Sequence, residues 1–468
     1  MSDGVYSKLR ENPMAIVVSA FAAFGGFLYG YDTGTISGII DMPYFLQVYG
    51  HLQQNTTSET TYILDSRDKS LIVSILSAGT FFGALLGYPS SDYLGRRWGL
   101  ILACLIFSIG VACQTAATAT PLFVVGRVIA GLGAIVSAYQ WFITIGLLIA
   151  AIINNGTKDI MSYNCYRIPL GIQLVWAAIL SIGMFILPES PRYLVLKGRI
   201  DQAQKSQARL SSKKVEDPDV SKDIEELVAN TELMKQYVGI FLQAWQQLTG
   251  INFIFYYGTS FFHSSGISQP FLITIATNVV NVGMTIPGML LMDKLGRRKI
   301  LIIGAAGMLV SQKTLIAFVC VYIAFFASTW AKCMSLSSAS NWLFNFALGY
   351  ATPYMVDEDK GNMGSKVFFI WGSTCLGCLI FAIFCIWETK GLSLEQVNYL
   401  VRNSSPITSA KLNEKLKSGA IMEHEMSNTA QIQFSKTSLQ VEDISTDIKS
   451  PGEKNISSDD ISAVHARL

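Results

Sequence analysis

Long apolar stretches dominate the chain, beginning near Ala15, Leu71, Trp98, Pro121, Pro169, Val238, Phe271, Ile300, Leu336 and Val367. About 20 apolar residues in helical form cross a bilayer core of roughly 30 Å, so each stretch predicts a membrane span. The stretches fall into two groups of five, divided by a charged segment over 196–236. That segment is rich in Lys, Glu, Gln and Ser, and reads as short amphipathic helices on the cytoplasmic face. From 401 the chain is polar and Ser-rich, which predicts a disordered cytoplasmic tail. The expected organisation is an N-terminal helical bundle (1–195), a cytoplasmic charged linker (196–236), a C-terminal helical bundle (237–400) and the tail (401–468). The fold class is all-α.

Composition turns this pattern into a class of protein. Hydrophobic residues make up 51% of the 468 and charged residues 15%, against about 25% charged in soluble domains. Mean hydropathy is +0.39. The linker and tail hold 33 of the 68 charges, which leaves 35 for the other 359 residues. A water-exposed surface cannot be covered that sparsely, so the chain is a polytopic membrane protein with the lipid bilayer as its first partner. A net charge of +2 is too weak to point to nucleic acid. Cys375 and Cys378 read CxxC inside a membrane stretch with no His or second CxxC nearby, which is packing rather than a metal or redox site. The first ten residues are polar and the first apolar stretch is long, as in a signal anchor rather than a cleaved signal peptide.

One phrase recurs. Asp92-Tyr-Leu-Gly95-Arg96-Arg97 follows the second stretch, and Asp293-Lys-Leu-Gly296-Arg297-Arg298-Lys299 follows its counterpart in the second half. Two homologous bundles leave such a repeat. Cationic loops stay in the cytoplasm, which places both Gly-Arg-Arg loops, Arg192, Lys197, Arg199 and both termini inside. The sequons Asn55-Thr-Thr57 and Asn155-Gly-Thr157 then fall outside.

Eight motifs stand in the order of a known family: Gly25-Gly-Phe-Leu-Tyr-Gly-Tyr-Asp32-Thr-Gly, Gly95-Arg-Arg, Gly126-Arg127, Pro188-Glu-Ser-Pro-Arg192, Gln246-Gln-Leu-Thr-Gly-Ile-Asn252, Gly296-Arg-Arg, Asn341-Trp342 and Glu388-Thr-Lys-Gly391. From about Met14 to Leu400 the chain resembles the sugar transporters of the major facilitator superfamily, most of all fungal hexose transporters. The resemblance implies a two-bundle fold, a hexose substrate near the midplane, movement by alternating access and a place in the plasma membrane. It implies no cofactor apart from a coupling proton. No nucleophile–base pair or phosphate loop is visible, so the chain is not read as an enzyme. Nothing in it sets an oligomeric state.

Amides both donate and accept, as sugar hydroxyls do, and polar groups in a membrane helix are costly unless they face a cavity or a partner. Gln246 to Asn252 covers about two turns of helix, which puts Asn252 on the side of Gln246 and Tyr256 one turn further. By resemblance Gln246, Gln247, Asn252 and Tyr256 line the sugar site, with Gln140, Asn281, Asn341 and Trp342 at other sugar-contacting positions. Hydrogen bonding between helices is the competing reading of these amides. Asp32 is a carboxylate inside the first span, and Arg127 is its expected partner. The pair is either a fixed ion pair or a titrating one that links proton and sugar movement. Arg96, Arg97, Arg297 and Arg298 are read as cytoplasmic gate residues, with Glu189, Arg192 and Glu388 as their partners. Their contacts are expected to hold the outward-facing state and to break as the halves rock.

The chain departs from the family in two places. Twelve helices are usual and about ten are recognisable here. Near Ala134 the end of the fourth helix and its Glu–Arg loop are missing, and near Thr329–Cys333 a proline-bearing half helix is missing. Pro121 to Ile153 is 33 residues with no charge except Arg127, too long for one span and short for two. Either it crosses once and inverts the next span, or it bends at Gly131 to Gly133 into two short helices. Two further functions therefore stand beside transport. One is a glucose sensor that binds sugar and does not move it. The other is an inactive isoform or faulty gene product of a transporter.

Overall fold

The computed structural model describes residues 13–54, 60–134, 140–211, 220, 243–310, 319–320, 323, 338–357, 360–392 and 394–417. The chain divides into two compact units, Met1–Glu388 and Thr389–Leu468. The first half of the larger unit contains α1 (Pro13–Ile39), α2 (Pro43–Tyr49), α3 (Ser66–Leu94), α4 (Arg96–Ala116), α5 (Thr120–Gly133), α6 (Gln140–Thr157), α7 (Asn164–Ile186), α8 (Pro191–Leu196) and α9 (Ile200–Ser211). Its second half contains α10 (Ile251–Ser264), α11 (Pro270–Leu295), α12 (Arg297–Val310), α13 (Ser338–Val356) and α14 (Val367–Cys385). A two-stranded antiparallel hairpin, β1 (His51–Gln54) and β2 (Thr60–Ile63), stands between α2 and α3.

Five described stretches are long and apolar enough to cross a membrane: Ser66–Gly87, Arg96–Ala116, Asn164–Ile186, Pro270–Gly288 and Gly364–Cys385. Helices α2, α5 and α8 carry proline in their first turn, where no backbone N–H is needed. Large apolar side chains such as Leu105, Ile109, Ile182 and Phe369 point outward and are exposed, as a bilayer-facing surface requires. Inside, helices meet through small residues. A Cβ on Gly30 would overlap the Ile143 carbonyl oxygen, and one on Gly110 the Ala130 nitrogen. Such contacts let backbones approach and gain dispersion energy without a hydrophobic driving force.

The Pro121 stretch bends. Helix α5 ends at Gly133, Ala134 is extended, and α6 begins at Gln140. Down α5, Arg127 meets the carbonyls of Ile72 and Val73, and Leu132 meets Gly83, so α5 runs parallel to α3. Along α6, Ile143 meets Gly30, Leu147 meets Gly34 and Asn154 meets Gly38, so α6 runs parallel to α1 towards the end where α3 begins. The two short helices therefore go in and come back, and the single-crossing alternative does not occur. Helix α5 stops level with Gly83, while α3 continues to Leu94, about 16 Å further.

The halves meet along three lines: α1 against α10, α3 against α13, and α6 against α11. The Gly-Arg-Arg turns make α3 equivalent to α11. Their partners, α13 and α6, are then equivalent too, which is two-fold pseudosymmetry. Helices α3 and α13 run antiparallel in register: Ser66 Oγ donates to Asp357 Oδ2 at 2.9 Å, Ser74 packs on Gly349, and Ser77 Oγ donates to Asn345 Oδ1 at 3.4 Å. These contacts lie over 66–77, away from the Gly-Arg-Arg end.

Helix α9 buries Ala203, Ser206 and Ala208 and exposes Asp201, Lys205 and Arg209, an amphipathic helix inside the charged linker. Residues 212–219 and 221–236 of that linker lie outside the described residues, as do the sequon at Asn55 and the second gap near Thr329–Cys333. Asn155 sits in the last turn of α6. The smaller unit corrects the expectation of a tail disordered from 401. It holds α15 (Leu394–Asn403) and α16 (Ser409–Lys417). Ser405 and Thr408 exchange side-chain-to-backbone hydrogen bonds ahead of α16, a reciprocal capping arrangement that starts a helix. Asn413 then donates to the Lys390 carbonyl at 3.2 Å. Residues 418–468 lie outside the described residues.

Candidate functional site

The amide-rich segment is not one continuous helix. A helical stretch over 243–248 breaks at Thr249, and Gly250 takes φ +84° before α10 begins. The Trp371 ring of α14 fills the place of a side chain there, since a Cβ on Gly250 would overlap its Cδ2. Only glycine combines that φ with that contact. Carbonyls next to the break are met by α14: Thr374 Oγ1 donates to Leu248 O at 2.6 Å, and Cys378 Sγ to Trp245 O at 3.3 Å. Cys375 and Cys378 are both buried on this face, so the CxxC packs against a broken helix.

The break corrects the expected geometry: Asn252 meets Gln247 rather than sharing a face with Gln246. Asn252 Nδ2 donates to Gln247 Oε1, Gln247 Nε2 to Asn341 Oδ1, and Asn341 Nδ2 to Gln243 Oε1. These bonds lock four amides from three helical segments in fixed orientations. Gln246 is buried beside them in sequence, and its Oε1 has no hydrogen-bond partner among the described residues. The same holds for Asn281 Nδ2 on α11. A buried orphan of this kind costs about 1–3 kcal/mol, and a neutral polyol can supply the donor for one and the acceptor for the other.

A seam of hydroxyls and rings crosses between the halves next to the amides. Tyr256 Oη lies 3.3 Å from Tyr29 Oη and 3.4 Å from Ser77 Oγ. The Tyr29 ring meets Trp342 edge-on at 4.9 Å. Trp342 and Asn341 are adjacent on α13, so the seam and the amide cluster share that helix. The side chain of Gln140, the first residue of α6, lies outside the described residues.

Asp32 and Arg127 form an ion pair, with both carboxylate oxygens 2.9 and 3.1 Å from Arg127 Nη1 and each side chain 1% exposed. Arg127 Nε and Nη2 donate to the carbonyls of Ile72 and Val73 at 3.1 and 3.3 Å. One guanidinium thus joins α1, α3 and α5, and each of its three nitrogens has a protein acceptor, as a buried charge requires.

At the Gly-Arg-Arg turns, Gly95 and Gly296 have φ +87° and +89°. The Glu189 carboxylate accepts from the backbone N–H groups of Arg96 and Arg97 at 3.0 and 3.1 Å, capping the start of α4. The Arg97 guanidinium donates to the Phe185 carbonyl at the end of α7. In the second half Glu388 lies against Gly296, and Arg298 Nη2 donates to Ile383 O at 2.8 Å, at the end of α14. An acid at a helix start and a cation at a helix end are both stabilised by the helix dipole. Each of these contacts joins residues of the same half. The side chains of Arg192 and Arg297 lie outside the described residues.

Sequence reasoning missed Gln243, Asn345, Tyr29, Ser77 and Gln173. Gln243 lies three and four residues before Gln246 and Gln247, and Asn345 four after Asn341, so helical spacing was the available signal. Gln173 on α7 is fully buried, and neither amide atom has a hydrogen-bond partner among the described residues.

The sequence profile described as "Sugar (and other) transporter" matches residues 18–134 and 132–401, two pieces that meet where α5 ends. A major facilitator-type transporter, ecdD of Aspergillus rugulosus, is 42% identical over 82% of this chain and 87% of its own. The high glucose sensor RGT2 of Saccharomyces cerevisiae is 37% identical over 87% of this chain and 63% of its own. The probable glucose transporter rco-3 of Neurospora crassa is 37% identical over 82% and 78%. Among solved structures, the proton:xylose symporter XylE bound to 6-bromo-6-deoxy-D-glucose matches with a TM-score of 0.70 and 22% identity, over 83% of this chain and 99% of that one. That likeness carries the fold. On the profile match and the relatives together, the chain belongs to the sugar transporter family of the major facilitator superfamily and resembles its fungal hexose transporters.

Proposed function

We propose that the chain carries a hexose, glucose or a close relative, across the plasma membrane by alternating access, with both termini and the Gly-Arg-Arg turns in the cytoplasm. The amide cluster is the observation that carries this reading. Gln243, Gln247, Asn252 and Asn341 are held in one orientation by mutual hydrogen bonds, while Gln246 Oε1 and Asn281 Nδ2 keep bonding capacity in buried surroundings. Uncharged amides beside Tyr256 and Trp342 suit a neutral, polyhydroxylated ring better than an ion. The probable glucose transporter rco-3 and the low-affinity glucose transporter HXT1 of Saccharomyces cerevisiae, 37% and 32% identical, support a hexose. Asp32 is the group on which a coupling proton would sit, and transport that keeps a pH dependence in Asp32→Asn would exclude it.

Glucose should raise the melting temperature of the purified chain in lipid nanodiscs and leave Gln246→Ala unmoved. Equal stabilisation of both proteins would remove Gln246 from the site. The likeness to RGT2 supports a second reading, a sensor that binds glucose without moving it. Glucose-dependent stabilisation together with no uptake by surface-exposed protein would select it.

A further inference from the structure

At the end opposite the Gly-Arg-Arg turns, four ionisable side chains gather where the halves meet. Asp41 follows α1 and His263 lies in the last turn of α10, with Asp41 Oδ2 3.8 Å from His263 Nδ1. Lys69 of α3 also acts on Asp41, and its Nζ lies 3.6 Å from Asp357 Oδ1 beyond α13. Ser66 donates to the other Asp357 oxygen at 2.9 Å. Asp41 and Lys69 belong to one half, and His263 and Asp357 to the other. The Asp41 side chain is 12% exposed and that of His263 67%.

We propose that Asp41 and His263 form a proton-operated latch that draws the two halves together at this end as pH falls. Imidazoles take up their proton between about pH 5 and 8, and only the charged ring pairs with the Asp41 carboxylate. Separating the halves parts the two groups, so the pair favours the closed arrangement. Burial, the largest influence, pushes the Asp41 carboxyl above its ordinary range, while the His263 and Lys69 charges pull it back. Lys69–Asp357 supplies a second tie across the same line. In a transporter the latch makes acid outside slow the opening of the outer entrance.

The latch extends the alternating-access reading, but its test needs no sugar and so can fail while that reading stands. Hydrogen exchange of the full chain in lipid nanodiscs, corrected for the intrinsic pH dependence of exchange, would be followed in peptides covering 36–42 and 258–266. Protection there should rise about two- to five-fold from pH 7.5 to 5.5, the size of a part-exposed ion pair. In His263→Gln, a change at a mostly exposed position, protection should stay at the pH 7.5 level. Asp41→Asn, which mimics the protonated carboxyl, should be protected equally at both pH values. Protection that does not change with pH in the native chain, or a rise that survives in His263→Gln, would overturn the latch.

Discussion

Arg127 illustrates how much a single side chain decides in this chain. It is 1% exposed, pairs with Asp32 and holds two carbonyls of α3. Removing one partner of such a pair leaves an uncompensated buried charge and costs about 3–5 kcal/mol. Arg127→Gln should therefore lower the melting temperature sharply, and Asp32→Asn/Arg127→Gln should recover part of the loss. A double variant no more stable than Arg127→Gln would show that the carbonyl contacts, not the ion pair, carry the effect. This pair was legible in the sequence because charges in apolar stretches are rare and must find each other. The amides were legible as residue types but not as a network. Which amide meets which depends on the break at Gly250, and the run Gln246 to Asn252 reads as a smooth helix until the Trp371 ring is placed against it.

Among elements, the two Gly-Arg-Arg turns are stiff corners within each half. Gly95 takes φ +87° and ψ 168°, a region that costs other residues about 1–3 kcal/mol. A Cβ there would also lie 2.5 Å from Glu189 Oε2, pushing away the carboxylate that caps α4. Gly95→Ala should destabilise the chain by more than Glu189→Gln, which keeps an acceptor at the cap. Comparison of their thermal melts decides this, and a milder effect from Gly95→Ala would mean that Glu189 is not held by the turn. The repeat exposed these corners in the sequence, yet it suggested contacts that hold one transport state and break in another. Glu189 and Glu388 lie against the turns of their own halves, which suits the corners to move as rigid pieces. The short α5 and α6 were expected as one of two alternatives. Only the packing of Leu132 on Gly83 and of Ile143 on Gly30 decides between them, because apolar length alone does not tell a bent stretch from an overlong span.

For the whole molecule, the question is whether two bundles with a shortened α5–α6 pair still exchange access between the two sides. The halves meet across α1–α10, α3–α13 and α6–α11, and the seam of Tyr29, Tyr256, Ser77 and Trp342 crosses beside the amides. Those are the surfaces a rocking motion would use. Pseudosymmetry was visible in the repeated phrase, whereas the pairing of α6 with α11 was not, since no sequence signal joins segments so far apart. The most direct test is uptake of radiolabelled glucose by a yeast without its own hexose carriers, with the amount of chain at the cell surface measured on the same cells. Saturable uptake by the native chain, lost in Gln246→Ala at equal surface level, is the predicted result. Native chain at the surface with no uptake above background would contradict transport.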